Sequence, residues 1–475
     1  MQQLAVTVGP DGAAADRAIA RLREELGDDI VHHSAVADLP RHRRDFLNAA
    51  ADDLVLHGVA YPRTTDHVSR ILRICNEERL PVIPQGGRTG MAGGATPVVA
   101  ALALSLERMR EIEELDPDGR TIRVQAGTVL EAVQNAADEA GFFFPLDLGG
   151  RGTAQIGGNA ATNAGGNRVL RYGMMRDLVL GIEVVLADGT IVTSLNTMLK
   201  NNAGYDIRNM FIGSEGTLGV ITRLVLRLFP KPLSTSTALV GVTDFAAALL
   251  LMREASSRLG GSLAAFEVMW SEFYHLGTTA LGRQPPLPHG FGLYVLIETL
   301  GTDQEQDDAR FEQVIGGLIE ADIVQDAVIA SSSKQRQELW AIRDCPGEFP
   351  KIYWPQIAFD VSLPAARIGD FVPHIRAVLQ RHWPDVQTVF FGHLADSNLH
   401  LSVRLPREVV PVEEIEETVY REVGAWQGSI SAEHGIGMVK REFLHFSRSP
   451  EELSLMRLLK STLDPNGILN PGKVL

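Results

Sequence analysis

The stretch PVIPQGGRTGMAGG, residues 81–94, runs from a short apolar segment directly into a glycine-rich loop. Its first four residues are typical of a short buried strand. Upstream, Thr64–Asp66 is typical of a helix start. Four apolar residues then follow at the spacing of one helix face: Val68, Ile71, Leu72 and Cys75. The pattern predicts a β-α-β unit whose second strand ends in the glycine loop.

Three further segments are rich in small residues: Gly149–Gly166, Asn201–Gly204 and Gly213–Gly219. Glycine loops let backbone N–H groups approach a phosphate, and successive amides form an anion-binding nest. A single loop of this kind is more often a plain turn. The sequence has no G-x-G-x-x-G fingerprint near its start and no G-K-[ST] phosphate loop. A dinucleotide held by these loops would therefore not lie in a Rossmann domain or a Walker loop.

The composition is that of a folded soluble protein, with 45% hydrophobic and 22% charged residues in 475. The net charge of −15 argues against nucleic acid as a partner. Two cysteines and no signal peptide at Met1–Val6 favour a cytoplasmic location. Apolar runs such as Val98–Leu104 fall short of the roughly 20 residues of a membrane span.

A change of pattern marks a domain boundary at Phe229–Pro232. Short strand-like runs and an Ala187–Thr190 hairpin turn precede it, and alternating helices and strands follow it. A last helix begins after Ser449 and Pro450. We predict a cofactor domain at 1–230, a substrate domain at 231–425 and a carboxy-terminal segment at 426–475.

Two histidines seven residues apart, His393 and His400, precede a Glu433–His434 pair. Imidazole nitrogen and carboxylate oxygen suit zinc, iron or manganese, and three protein ligands leave a position open for substrate. The segment between the histidines is typical of a turn that brings both rings to one side. Spacing alone also permits hydrogen-bonded histidines without a metal.

Longer blocks add a family resemblance: residues 81–94, 142–189 (FFFPLDLGGRGTAQIGGNAATNAGG to VVLADG) and 199–232 (LKNNAGYDIRNMFIGSEGTLG to LFPKP) resemble the FAD-binding domain of the vanillyl-alcohol oxidase type. The later blocks FGHLADSNLHL, SAEHGIGMVKREFL and STLDPNGILNPGKVL resemble FAD-linked D-2-hydroxyacid dehydrogenases, the group of D-2-hydroxyglutarate dehydrogenase and the glycolate oxidase large subunit. The resemblance implies an α+β fold: a two-subdomain FAD-binding domain, an α/β substrate cap, and a carboxy-terminal helical segment that returns to the flavin.

The resemblance also implies FAD contacts. The pyrophosphate contacts would be Pro84, Gly86, Gly87, Thr89 and Gly90. The ribityl and flavin side would be lined by Gly150, Thr153, Gly157, Gly158, Asn159 and Thr162. The remaining dinucleotide contacts would be Glu215, Gly216, Gly219 and Val220, with Asn470 in the returning tail. The first loop carries no histidine, so we expect noncovalent FAD.

For the reaction, the resemblance implies His393, His400 and Glu433 as ligands of a divalent metal, with zinc the expected ion. The metal would chelate the C1 carboxylate and C2 hydroxyl of a D-2-hydroxy acid, His434 would act as general base, and hydride would pass to flavin N5. Arg343 matches a substrate-carboxylate arginine. The alternative for Arg343 is a surface pair with Asp344 or Glu348.

Where the hydroxyglutarate enzymes have a threonine, a lysine and an asparagine, this sequence has Gly347, Ala358 and Ser402. Lys351, Tyr353 and Trp354 could reshape the pocket. Candidate substrates are D-2-hydroxyglutarate, D-lactate and D-malate, with an electron-transfer flavoprotein or quinone as acceptor. The oligomeric state stays open, with a homodimer as one alternative. Other hypotheses are a metal-free alcohol oxidase or alkylglycerone-phosphate type flavoenzyme, a flavin-free metallohydrolase, and a ligand-binding protein without chemistry.

Overall fold

The computed structural model describes residues 12–35 and 37–475. The prediction about a signal peptide at Met1–Val6 lies outside these residues. Two units make up the chain. The first comprises Met1–Gly165, Met174–Lys231 and Glu433–Leu475, and the second Gly166–Gly173 and Pro232–Ala432. The second unit thus runs past residue 425, the limit that the sequence suggests, and includes a short segment from the cofactor part.

The strands are β1 Val31–His33, β2 Leu56–Ala60, β3 Val82–Gln85, β4 Ala101–Ser105, β5 Ile112–Asp116, β6 Thr121–Gln125, β7 Phe142–Phe143, β8 Val179–Val185, β9 Ile191–Ser194, β10 Val220–Arg227, β11 Phe229–Pro230, β12 Ser234–Val242, β13 Leu263–Trp270, β14 Leu293–Gly301, β15 Asp326–Ile329, β16 Ile357–Ser362, β17 Gln387–His393 and β18 Asn398–Arg404.

The α-helices are α1 Gly12–Leu26, α2 Leu39–His42, α3 Thr65–Glu77, α4 Leu130–Glu139, α5 Ile156–Ala161, α6 Val169–Tyr172, α7 Met175–Leu178, α8 Arg208–Phe211, α9 Phe245–Leu259, α10 Ser271–Gly277, α11 Gln304–Glu320, α12 Ser333–Arg343, α13 Ala365–His382, α14 Val412–Ala425 and α15 Pro450–Leu463. Short 3-10 helices occupy Leu106–Arg108, Gly260–Ser262, Thr279–Leu281, Cys345–Lys351, Leu394–Asp396 and Arg441–Phe446.

The first unit contains a four-stranded sheet and a five-stranded sheet. The four-stranded order is β1-β2-β4-β3, in which β2 and β3 both run parallel to β4. The predicted β-α-β unit is present as β2, α3 and β3, with β4 between the two strands. The five-stranded sheet is antiparallel in the order β5-β6-β10-β8-β9, and its last two strands form the predicted hairpin.

Local chemistry explains the helix boundaries. The side chain of Thr64 accepts a hydrogen bond from His67 N–H at the start of α3, and the predicted apolar face of that helix is buried. At α15, Ser449 and Glu452 form a capping box, with Pro450 in the first turn. Within the described residues, no helix combines the length and apolarity needed to cross a bilayer.

The second unit is built on one seven-stranded antiparallel sheet, in the order β15-β12-β14-β13-β17-β18-β16. Its register places Glu267 opposite His393, and His400 opposite both Phe391 and Asp360. Because alternate residues of a strand share a face, these polar side chains project from the same side of the sheet.

Candidate active site

The first two glycine loops lie against each other in the first unit. A Cβ at Gly87 would lie 2.0 Å from the carbonyl oxygen of Thr153, a distance that no other residue type permits. A Cβ at Gly150 would lie 3.3 Å from the methyl group of Thr89. The segments predicted to hold the pyrophosphate and the flavin side therefore meet.

The third predicted segment and the returning tail reach the same place. Asn470 Nδ2 donates hydrogen bonds to the carbonyl oxygens of Gly94, at 3.0 Å, and Glu215, at 2.8 Å. A Cβ at Gly216 would lie 3.3 Å from Pro84 Cγ. The structure thus brings all four predicted groups of cofactor residues into one contiguous cradle.

The glycines of the cradle serve two purposes. A Cβ at Gly157 would lie 2.6 Å from Ala126 Cβ, and one at Gly219 would lie 2.5 Å from Val184 Cγ1, so packing inside the unit accounts for both. At three other positions, Gly86, Gly90 and Gly158, a Cβ would meet no protein atom closer than 3.5 Å. At those three positions the protein itself leaves room for a ligand.

Three predicted cofactor side chains are engaged by the protein. Thr162 donates to a carbonyl group of α5, and Val220 is a buried residue at the start of β10. The Glu215 carboxylate accepts backbone N–H groups of Ile436 at 2.7 Å and Gly437 at 2.8 Å. Burial raises the pKa of this carboxyl, and the two N–H donors oppose the rise. Glu215 therefore fixes the loop that carries His434.

Buried polar atoms in the cradle lack a hydrogen-bond partner among the described residues: Gln155 Oε1, Asn159 Oδ1, Asn470 Oδ1 and Lys473 Nζ. Buried polar atoms are nearly always paired in native proteins, so we expect each of these four atoms to bond to a ligand. The open glycines suit close approach by the phosphates of FAD, the three acceptor oxygens suit its ring N–H and ribityl hydroxyl groups, and Lys473 Nζ suits one of its acceptors. The predicted site does not include Gln155 or Lys473, although Gln155 lies in the glycine-rich segment 149–166 and Lys473 in the block STLDPNGILNPGKVL.

The second unit presents the two predicted histidine ligands on a hairpin. His393 ends β17, a 3-10 turn at Leu394–Asp396 follows, and Ser397 adopts a left-handed conformation before β18 begins. The two imidazole rings lie 5.4 Å apart between centroids, at 76°. The turn predicted from the sequence is the element that brings them together.

Glu433 completes a cluster with this pair. One ligand atom each from His393, His400 and Glu433 can be chosen so that all lie within 4.8 Å of one another. Glu433 directly follows Ala432, whose N–H donates to Asp360 Oδ2 at 3.2 Å. Two nitrogens and one carboxylate with positions left open fit a catalytic divalent ion.

A carboxylate stands behind each histidine. Glu267 Oε1 lies 2.7 Å from His393 Nδ1, and Asp360 Oδ1 lies 3.8 Å from His400 Nδ1. Such carboxylates fix the orientation of metal-binding imidazoles. Burial would raise the pKa of Glu267, but His393 and Arg343 outweigh it and hold that pKa below its usual range.

Arg343 is buried beside the hairpin rather than on the surface. Its side chain is 6% exposed, and Nε donates to Glu267 Oε2 at 2.7 Å. Nη2 lies 3.2 Å from His393 Nε2, and the guanidinium stacks over Phe391. The alternative of a surface pair with a helix neighbour is therefore wrong, and Glu348 pairs instead with Arg283.

Sequence analysis missed Glu267. It is a single charged residue within the apolar strand LAAFEVMW, which is a detectable sign of a buried polar role. Its partner could not be inferred, because the pairing of β13 with β17 is a long-range register.

Two of the positions at which this sequence differs from the hydroxyglutarate enzymes, Ala358 and Ser402, lie on the strands that carry Asp360 and His400. Ala358 is opposite Ser402, two residues along each strand from the Asp360–His400 pair and on the same face. Ala358 is exposed and Ser402 is buried. This flank of the cluster therefore presents small side chains with little charge.

Comparisons with known proteins agree with these features. Residues 231–474 match the family described as "FAD linked oxidases, C-terminal domain", and residues 56–194 match "FAD binding domain". The chain is similar to D-2-hydroxyglutarate dehydrogenase of Bos taurus, at 43% identity over 87% of this chain and 76% of the relative. It is also similar to a Stutzerimonas stutzeri protein of the same name, at 34% identity over 90% and 94%. A mitochondrial protein of Schizosaccharomyces pombe, provisionally named a D-lactate dehydrogenase, is 40% identical over 94% and 87%.

Solved structures show the fold. The chain is similar to p-cresol methylhydroxylase with substrate bound, with a TM-score of 0.75, 18% identity and 98% of both chains covered. It is also similar to alkyldihydroxyacetonephosphate synthase, with a TM-score of 0.72, 16% identity, and 95% and 85% covered. The predicted vanillyl-alcohol oxidase type fold with FAD is confirmed, which argues against the flavin-free hypotheses. The chain belongs to the FAD-linked oxidases, in the branch of the D-2-hydroxyacid dehydrogenases.

Proposed function

We propose that this protein oxidises a D-2-hydroxy acid to the 2-keto acid with noncovalent FAD and a divalent metal ion. The observation that carries the proposal is the cluster of His393, His400 and Glu433, with a carboxylate behind each histidine. The hydroxyl of such a substrate is a very weak acid, so its oxidation requires a group that stabilises the alkoxide. The names of the relatives support the same substrate class.

The histidine pair and Glu433 would hold the metal, for which we propose zinc. A bound divalent ion would supply Lewis-acid stabilisation of the C2 alkoxide. His393 Nδ1 is already paired with Glu267, so Nε2 would be the nitrogen offered to a metal. If Nε2 held an ion, Arg343 Nη2, which lies 3.2 Å from it, would lose this partner. The Nη2 N–H would then be available to the carboxylate of the substrate, which supports the clamp predicted for Arg343.

His434 would accept the hydroxyl proton. It follows Glu433, it is only partly buried, and Glu215 fixes its loop two residues further on. Histidine is the side chain that most often serves as a general base in enzymes. FAD, when bound, supplies the hydride acceptor that no side chain provides.

The small flank of the cluster favours a substrate with a short or weakly polar tail. Ala358 and Ser402 replace the lysine and asparagine implied for the hydroxyglutarate enzymes, and neither brings a positive charge. We therefore propose D-lactate ahead of the dicarboxylates D-malate and D-2-hydroxyglutarate. Reduced FAD would pass its electrons to an electron-transfer flavoprotein or a quinone.

An anaerobic screen of D- and L-2-hydroxy acids tests the proposal. We expect D-acids to bleach the flavin absorbance, and treatment with a chelator to abolish the bleaching. Metal analysis of the purified protein should give one ion per chain. Faster bleaching by L-acids, or full bleaching by D-acids in metal-free protein, would contradict the proposal; the second result would favour the metal-free flavoenzyme hypothesis.

A further inference from the structure

Two lysines of the carboxy-terminal segment, the partly buried Lys460 and the buried Lys473, differ in their surroundings. Lys460 Nζ donates to the carbonyl oxygens of Thr217 and Leu469, both at 2.8 Å, and to the carboxylate of Asp464. Lys473 is 3% exposed, and its Nζ has no hydrogen-bond partner within the described part of the chain. An ammonium group out of water without an acceptor is strongly unfavourable.

Backbone contacts fix Lys473 in this position. The following residue, Val474, donates its N–H to the carbonyl oxygen of Gly437 at 3.0 Å. Val474 has a φ of 66°, a left-handed conformation that a β-branched residue adopts only under strong constraint. A Cβ at Gly472 would lie 2.6 Å from Val98 Cγ2. The fold therefore holds the lysine where it lacks a partner.

The carboxylates near Lys473 are occupied by other donors. Glu215 accepts the N–H groups of Ile436 and Gly437, and Asp45 Oδ2 accepts the N–H of Gly93 at 2.7 Å. Burial lowers the pKa of Lys473 to about 7, although Glu215 and Asp45 favour the charged form. The unmet requirement is thus for an acceptor that is not part of the protein.

We propose that Lys473 contacts the isoalloxazine end of bound FAD and stabilises the negative charge that the ring gains on reduction. The loop that anchors Lys473 begins with Glu433 and His434, the residues assigned to the metal and to proton removal. The same loop also meets the first glycine loop, beyond the predicted pyrophosphate contacts at residues 86–90, where the N–H of Met438 donates to the carbonyl oxygen of Ala92 at 2.9 Å. A positive charge beside the ring is a recognised means of tuning flavin electronics.

In the proposed reaction, the C2–H bond of the substrate would break, with its hydrogen and both bonding electrons passing to oxidised FAD, and the hydroxyl proton would pass to His434. FAD would thereby gain one hydrogen and one negative charge, and the substrate would become the 2-keto acid. A cation placed at the ring favours the reduced form over the oxidised form.

The test compares Lys473→Met with Lys460→Met in the flavin-loaded enzyme. Dye-equilibrium titration gives the midpoint potential, and FAD fluorescence on dilution gives the affinity for oxidised FAD. In Lys473→Met we expect at least a tenfold loss in the preference for reduced over oxidised FAD, which corresponds to a fall of about 30 mV. Lys473→Arg should restore most of it. Lys460→Met should lower thermal stability and leave the potential unchanged.

Either of two results would overturn the proposal: an unchanged potential in Lys473→Met, or weaker binding of oxidised FAD at an unchanged potential, which would indicate a phosphate contact. If Lys473→Met does not fold, Lys473→Gln provides the same comparison without the charge. Neither measurement uses a substrate, so the result is independent of the identity of the hydroxy acid and of the metal.

Discussion

The cofactor cradle and the histidine hairpin are built in different ways. The cradle is made of loops whose own sequences, rich in glycine, indicate close backbone approaches. The hairpin site depends on strand register, which sets Glu267 behind His393 and Asp360 behind His400. A site assembled from loops can be inferred from short motifs, whereas a site assembled from register can be only partly inferred.

Removal of one metal-binding side chain should have the largest effect, and it should affect the histidine hairpin without affecting the cofactor cradle. We expect His393→Ala to lose the metal and about 1,000-fold in turnover, roughly 4 kcal/mol of transition-state stabilisation, while FAD stays bound. Metal analysis, the flavin absorbance ratio and anaerobic bleaching measure the three quantities. His374→Ala is a matched control, because His374 is partly exposed in the same unit and pairs with Glu422. Loss of FAD together with the metal would show that the two regions are not separable.

His434→Ala should have the next largest effect on turnover, and the variant should still bind the metal and FAD. We expect turnover to fall by about 100-fold, which is typical of a lost general base, with metal and FAD content unchanged. His445→Ala is the control, because that exposed histidine bonds a backbone carbonyl in the same segment. Near-normal turnover of His434→Ala would remove His434 from the role of base.

Most of the fold can be predicted from the sequence, whereas for the site the sequence predicts the candidate metal-binding residues but not the side chains that support them. The apolar spacing of α3 and the capping residues of α15 predict those helices because the signals are local. Glu267 is detectable as a lone charge in an apolar strand, but its partner His393 is not, because the β13–β17 pairing is long-range. Arg343 is singled out from its motif, but its burial against Glu267 depends on how α12 packs on the sheet, which no local pattern encodes.

Glu267 tests whether strand register supports the metal site of the histidine hairpin. Glu267→Gln should weaken metal binding by 10- to 100-fold, because the amide orients the His393 imidazole less firmly and cannot balance Arg343. Competition with a metal indicator measures the dissociation constant. Glu298→Gln is the control, since this buried carboxylate on β14 bonds Trp340 instead of a histidine. Equal metal affinity in both variants would reduce Glu267 to a packing role.

The smallest expected effect tests the cradle with two adjacent glycines of α5. Gly157→Ala would bring its Cβ within 2.6 Å of Ala126 Cβ, so we expect a loss of about 1–3 kcal/mol in the free energy of unfolding. Gly158→Ala meets no protein atom closer than 4.0 Å, and alanine is a better helix former by up to about 1 kcal/mol. We therefore expect Gly158→Ala to keep or raise stability without FAD but to bind FAD about tenfold more weakly, or about 1.4 kcal/mol. Thermal unfolding and FAD titration of the flavin-free protein measure both effects. If both variants lost stability equally and bound FAD alike, the open space at Gly158 would not belong to the cofactor.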